Sequence, residues 1–350
     1  MKTTFTSTSA IAEATRLTVA KLQSRLVDAQ KEVSTGRYAD VGATLGSRTG
    51  QSVSLRQEQA RLQAIIDSNG SVATRLDASQ TALKSISDDA QSFLNQLVSS
   101  RNSDVQSSLE AEAKSGLKDL IGSLNTQING AYLFAGTNAD VKPVADYVED
   151  LPSANKQAVD DAFVAAFGFP PSDPQTANIS SDDMQTFLDT SFADLFKDPA
   201  WKNTWSQASD QNVRSRISSS ELIDTSTNAN EDAIRKLVSA YTMVAGLGTA
   251  NLNQSAFQKV VDQASRLTAE ATQGLTTIES DLGSAQQRVT DANSRMTAQQ
   301  DIITNHIGAL EGVDPYEASS RLSALMTQLE TAYAMTGRIQ NLSLLKYLPI

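Results

Sequence analysis

The chain has 350 residues, a net charge of −11, 5% aromatic residues and no cysteine. That length has room for two or three cores, and the acidic balance argues against a nucleic-acid partner, since phosphate binding needs clustered lysine and arginine. The absence of thiols excludes disulfides and thiolate metal sites.

Residues 1–10 are rich in Ser and Thr, without the apolar core of a Sec signal, and are expected to lack structure. Next, Val19, Leu22, Leu26, Ala29 and Val33 recur at alternating steps of three and four. This spacing winds a narrow apolar stripe along a helix that stops near Gly36. Glycines at 42, 46 and 50 then read as a loop or hinge from Tyr38 to Gly50. A second helix begins near Gln51 and lasts about fifty residues. Leu55, Leu62, Leu76, Leu83, Ala90 and Leu97 fill one heptad position, and Ile65, Val72, Ile86 and Phe93 the other. A third helix is expected over Val105–Ile128. Asn129-Gly130 then turns the chain into a short strand within Ala131–Gly136.

Residues 140–227 differ in kind, holding six of the eight prolines, six of the ten phenylalanines and both tryptophans. Between 141 and 230 stand 14 acidic and 6 basic residues, so this quarter supplies −8 of the −11. Helices near 156–167 and 181–196 and a strand at Val213–Ile217 make it a small mixed α/β domain, with the aromatics as its core. After the capping signal Asn228–Glu231, a helix runs to Ala245 and breaks at Gly246 and Gly248. The longest seam follows, from Phe257 through Val261, Leu275, Leu282, Val289, Met296 and Ile303 to Leu310, roughly 80 Å at about 1.5 Å per residue.

The last helix is expected from Asp314 to Leu348, with Asp314, Pro315 and Glu317 as its starting signals. Leu322, Leu325, Leu329, Ala332, Thr336 and Ile339 make a stripe that suits the N-terminal helix. Met326, Tyr333 and Tyr347, together with Leu342, Leu344, Leu345 and Leu348, spread further apolar surface round it. One partner helix cannot cover both sets. At roughly 1.5 to 3 kcal/mol per large apolar side chain, the surplus calls for other chains. The expected assembly surface is Val19, Leu22, Leu26, Val33, Leu322, Leu325, Leu329, Tyr333, Ile339, Leu342, Leu345 and Leu348. The fold expected is mainly α: a long antiparallel coiled-coil trunk built from both chain ends, with the mixed α/β domain inserted. Terminal helices (1–40 and 312–350, disordered in the monomer), trunk (41–139 and 228–311) and insert (140–227) form its parts.

Catalytic chemistry finds little support. His306 is the only histidine, on a seam between Ile303 and Leu310 with no nucleophile motif nearby. Gly246-Leu247-Gly248 lacks the third glycine of a dinucleotide loop, and Gly46–Gly50 lacks the lysine of a P-loop. Asp160, Asp161, Asp182 and Asp183 are hard-cation candidates, but no calcium loop accompanies them, and a solvated acidic surface is expected. Neither enzyme activity, cofactor, metal nor membrane span is expected. These features point to the cytoplasm, or to export without a cleaved signal.

Four stretches carry a resemblance. They are Ser34-Thr35-Gly36-Arg37, the run Asn129-Gly130-Ala131-Tyr132-Leu133-Phe134-Ala135-Gly136-Thr137, Asp281-Leu282-Gly283-Ser284-Ala285-Gln286-Gln287-Arg288, and Leu342-Ser343-Leu344-Leu345-Lys346-Tyr347-Leu348. In this order they resemble the bacterial flagellin superfamily, and within it most the hook-filament junction proteins. Tyr38-Ala39-Asp40-Val41-Gly42 departs from the "P-S-D-D-P" stretch common there. The resemblance implies type III export with a chaperone, secretion into the extracellular flagellum, and partners among copies of itself, hook-associated protein 1 and flagellin. A filament flagellin, and a soluble coiled-coil signalling hairpin, stay open as alternatives.

Overall fold

The heptad runs become long helices. The computed structural model describes residues 8–101, 105–147 and 152–341. By compactness the chain divides into two units, residues 1–64 with 296–350, and residues 65–295; the segment 140–227 lies inside the second. Helix α3 (Thr49–Ser100) and helix α9 (Gln254–Glu311) each contribute to both.

In the first unit α1 (Thr8–Thr35) runs antiparallel to α10 (Pro315–Asn341), with Gln23 against Tyr333 and Glu32 against Arg321. Helix α10 starts where its capping signals place it, since Asp314 Oδ1 accepts from the Tyr316 and Glu317 amides at 2.8 and 3.3 Å. The stretch after Tyr38 is more ordered than its glycines suggest. Asp40 caps α2 (Val41–Leu45), accepting from the Ala43 amide at 2.8 Å, and a 3₁₀ turn leads into α3 at Thr49.

In the second unit α3 and α9 are also antiparallel, joined by Asn69 with Asn293, Gln80 with the Glu279 carbonyl, and Arg101 with Asp262. Leu76, Leu83, Ala90 and Leu97 from α3 and Ala264, Ala271, Leu275 and Ala292 from α9 are wholly buried. The heptad slot between Leu62 and Leu76 holds Asn69, whose amide donates to Asn293 Oδ1 at 2.7 Å and to the Ile217 carbonyl at 2.9 Å. A polar group at such a slot fixes register, because any slip leaves it unpaired in the core.

Helix α4 (Gln106–Leu124) stops short of the expected end. Ile128 belongs to β1 (Gln127–Ile128), which pairs antiparallel with β2 (Ala131–Tyr132) through a turn in which Asn129 and Gly130 both have positive φ, 50° and 82°. Two successive left-handed residues make the tight hairpin turn, so local turn chemistry prevails over helical periodicity there. Helix α8 (Asp232–Gly246) packs against α4, with Gly116 beneath the Tyr241 ring and that ring stacked on Phe93 at 4.1 Å.

The aromatic segment folds as α5 (Ala154–Phe167), α6 (Ser181–Phe187) continued by a π-helical turn at 188–192, α7 (Ala200–Thr204), and the antiparallel pair β3 (Arg214–Arg216) and β4 (Leu222–Asp224). Its rings form one connected chain: Phe163–Phe187, Phe187–Phe192, Phe192–Phe196, Phe196–Trp205 and Trp205–Trp201, with centroids 5.2 to 5.9 Å apart. Buried ring contacts of this kind add about 0.5 to 1.5 kcal/mol each beyond area burial, so the aromatics serve as core.

A methyl group at position 116 would overlap the Tyr241 ring, whereas one at exposed Gly122 meets nothing within 4 Å. Gly116→Ala is therefore expected to cost about 1 to 3 kcal/mol in urea unfolding. Gly122→Ala is expected to stabilise by up to about 1 kcal/mol through reduced unfolded-state freedom. Equal midpoints for the two variants would contradict the α4–α8 packing.

Candidate assembly surface

The terminal pair α1 and α10 has a dry centre and a wet periphery. Ala29, Ala318 and Leu325 are buried, while Val19, Leu22, Leu26, Leu322 and Leu329 are half-buried. Small residues at 29 and 318 let the backbones approach where the helices enter the pair. Farther from the linkers, larger side chains cover one another only in part.

Two expected members stand apart. Val33 is exposed, because the seam passes from Ala29 to Glu32 and not to Val33. Tyr333 is half exposed, its ring on the surface and its hydroxyl accepting from the Gln23 amide at 2.6 Å. Ile339 falls within α10, but its side chain lies outside the described residues, as do Leu342, Leu345 and Leu348. Leu17 and Val27 on α1 and Met326, Tyr333 and Met335 on α10 are each half exposed or more. Among the described residues these five, with Tyr316 at the start of α10, belong to the surplus apolar surface of the pair. At about 25 cal/mol per Å² removed from water, covering such a set is worth several kcal/mol to an assembling chain.

Sequence periodicity missed the polar groups that anchor the pair. Glu32 is buried; its carboxylate accepts from Arg321 Nη1 at 2.9 Å and from the Ala39 amide at 3.2 Å. Glu311, the last residue of α9, has no exposed surface. One oxygen accepts from Arg56 Nε at 2.9 Å and from the Ser52 hydroxyl, the other from Arg56 Nη2, and Arg37 stands 3.8 Å away. The linkers meet above this cluster. The Tyr38 amide donates to the Glu311 carbonyl and the Val313 amide to the Gly36 carbonyl, both at 3.0 Å, making an antiparallel bridge between Arg37 and Gly312. Gly36 has φ +69°, a conformation that costs other residues strain. The readable signal was an acid interrupting an apolar stripe, at Glu32 after Ala29 and at Glu311 after Leu310.

His306 is exposed and Ile307 takes the buried seam position in its place. Asp160 pairs with Lys156, Asp161 accepts from Gln157, and Asp183 accepts from Ser180. Among the described residues no three acidic or histidine side chains group closely enough to hold a metal ion, and no helix is long and apolar enough to cross a membrane.

The hydrogen bonds from Arg56 above all, then from Ser52, hold the Glu311 carboxyl below the usual carboxylate range, with the Arg56 and Arg37 charges adding to them; burial pulls the other way. A lowered native pKa stabilises wherever the carboxylate is ionised, in full above the unfolded value of about 4.3, and is lost as pH falls through the native value. At pH 7, Glu311→Gln should ease local opening by about 1.5 to 3 kcal/mol, the range for hydrogen bonds to charged groups. Faster amide exchange at Tyr38 and Val313 would report it, and the gap from the parent should close in acid. A gap that stays constant down to the native titration and beyond would contradict the cluster's role.

Comparison with known proteins adds the family. Residues 6–139 match the pattern of the bacterial flagellin N-terminal helical region, and residues 266–348 that of the bacterial flagellin C-terminal helical region. A solved structure assigned as a flagellar hook-associated protein from Vibrio parahaemolyticus is similar in fold, with TM-score 0.52 at 11% identity over 75% of this chain and 97% of that one. The comparison with curated proteins gives no match.

Proposed function

From the premise that this chain belongs to the bacterial flagellin superfamily, we propose that it is the junction subunit joining the flagellar hook to the filament. The family is structural and non-enzymatic. The observation that carries the assembly reading is the terminal pair: a seam only half covered by its own partner, with Leu17, Val27, Met326, Tyr333 and Met335 left facing outward. Copies of the chain, hook-associated protein 1 and flagellin are the partners that would cover them.

Before assembly the terminal helices are disordered. A helix of 28 residues with one narrow apolar stripe gains little from folding alone, and this pair leaves much of its apolar surface wet. Ordering and incorporation then form one step, with the entropy of ordering offset by contacts that neighbouring subunits supply. A chain kept unfolded at its ends also suits type III export with a chaperone, followed by assembly outside the cell. The hook-associated assignment of the Vibrio protein supports the junction reading over a filament flagellin. The flagellin patterns at both ends fit either reading.

Deleting the gene should leave hooks without filaments and flagellin free in the medium. Loss of one filament protein would instead leave other filaments attached. In a complemented strain, Leu329→Asp is expected to abolish filament attachment while leaving the urea midpoint of the exported chain nearly unchanged. Normal filaments on cells carrying Leu329→Asp would refute the surface.

A further inference from the structure

Beside the β3–β4 pair, in the second unit, a cleft of about 360 Å³ runs between the chain after β4 and helix α9. Most of the run Asp281–Arg288, singled out from the sequence, borders it. Three carboxylates line the cleft, those of Asp224, Glu231 and Asp281, and the one cation there is already engaged: Arg288 Nε and Nη2 each lie 3.0 Å from Glu221. Asp224 has Arg214 at 3.3 Å. Among the described residues neither Glu231 nor Asp281 makes an ion pair, and the nearest donor to Glu231 is the Asn228 amide at 3.5 Å.

A second observation is independent of the acids. Thr227 borders the same cleft, is 3% exposed, and its hydroxyl has no hydrogen-bond partner. Buried hydroxyls are nearly always satisfied, so one left open beside unpaired carboxylates marks a place where a donor is missing. Burial, reinforced by the Asp281 and Asp232 charges against Arg235, pushes the Glu231 carboxyl upward, as expected where compensating positive charge is lacking. Among the described residues no three such acids stand close enough for one metal ion. An acidic lining with a missing donor suits an ammonium on a long stem, which brings three donors and a positive charge.

The matching surplus lies on the same chain. Among the described residues of 65–295 every lysine is paired with a carboxylate except Lys118 on α4, which is exposed, and Lys259 on α9, which is half-buried. We infer that the cleft bordered by Asp224, Thr227, Glu231 and Asp281 receives the side chain of Lys118 or Lys259 from a second copy of the chain. The inference rests on reading the chain as an assembling subunit, and it supplies that assembly with a polar contact distinct from the terminal helices.

Charge reversal in the complemented strain tests it, with secretion of each variant checked by blot. Asp281→Lys should reduce the number of filament-bearing hooks about tenfold, the scale of a like-charge clash at an interface. Either Asp281→Lys with Lys118→Asp or Asp281→Lys with Lys259→Asp should restore them. Attachment by Asp281→Lys at the unaltered level, or rescue by neither double variant, overturns the lysine contact. So does calcium binding to the isolated chain that Asp281→Asn abolishes, because the cleft would then be an ion site. If Asp281→Lys attaches filaments and Leu329→Asp does not, only this inference falls. If both attach them, the proposed function falls as well.

Discussion

Incomplete burial of the terminal helix pair is the constraint from which the rest follows. A helix with a stripe at every third and fourth residue can satisfy one partner, and α1 and α10 do satisfy each other along Ala29, Ala318 and Leu325. Each also carries large apolar groups off that seam, Leu17 and Val27 on one and Met326 and Met335 on the other. Exposed groups of that size weaken the case for a stable isolated pair and strengthen the case for one that waits for neighbours.

Polar contacts complete the arrangement where hydrophobic ones are thin. Glu32 and Glu311 are taken out of water, and each would be costly there alone. Arg321, Arg56 and Ser52 make them tolerable, and the Arg37–Gly312 bridge joins the two linkers beside them. A buried charge accepts few geometries, so this cluster sets where α1 and α10 leave the trunk helices. The apolar stripes then need only decide how far the pairing extends. Farther along the chain, Asn69 with Asn293 does the same for α3 and α9, trading some core stability for one register.

Much of the fold was legible because heptad spacing reports burial directly. The spacing singles out Leu76, Leu83, Leu97 and Leu275, and all four lie wholly inside. The misses share a cause: periodicity sees apolar groups and is blind to polar ones. The spacing puts Val33 in the stripe, because nothing in it shows that Glu32 holds Arg321 there. The seven-residue step from Ile303 to Leu310 puts His306 on the seam, while Ile307 is the residue that turns inward. Ile128 continued a helical pattern that the left-handed pair Asn129-Gly130 cuts off. Helix α2 was hidden among glycines and shows only through Asp40 as its cap. Glu311 shows locally as an acid breaking the stripe, but nothing local names Arg56, 255 residues away, as its partner.

Amide hydrogen exchange along α1 and α10, compared between the purified chain and the chain within isolated flagella, tests the central claim most directly. The account predicts exchange within seconds through both helices in the free chain and strong protection once incorporated, with the wholly buried seam of α3 and α9 protected in both. Strong protection of α1 and α10 in the free chain would contradict it, because the pair would then be complete without neighbours.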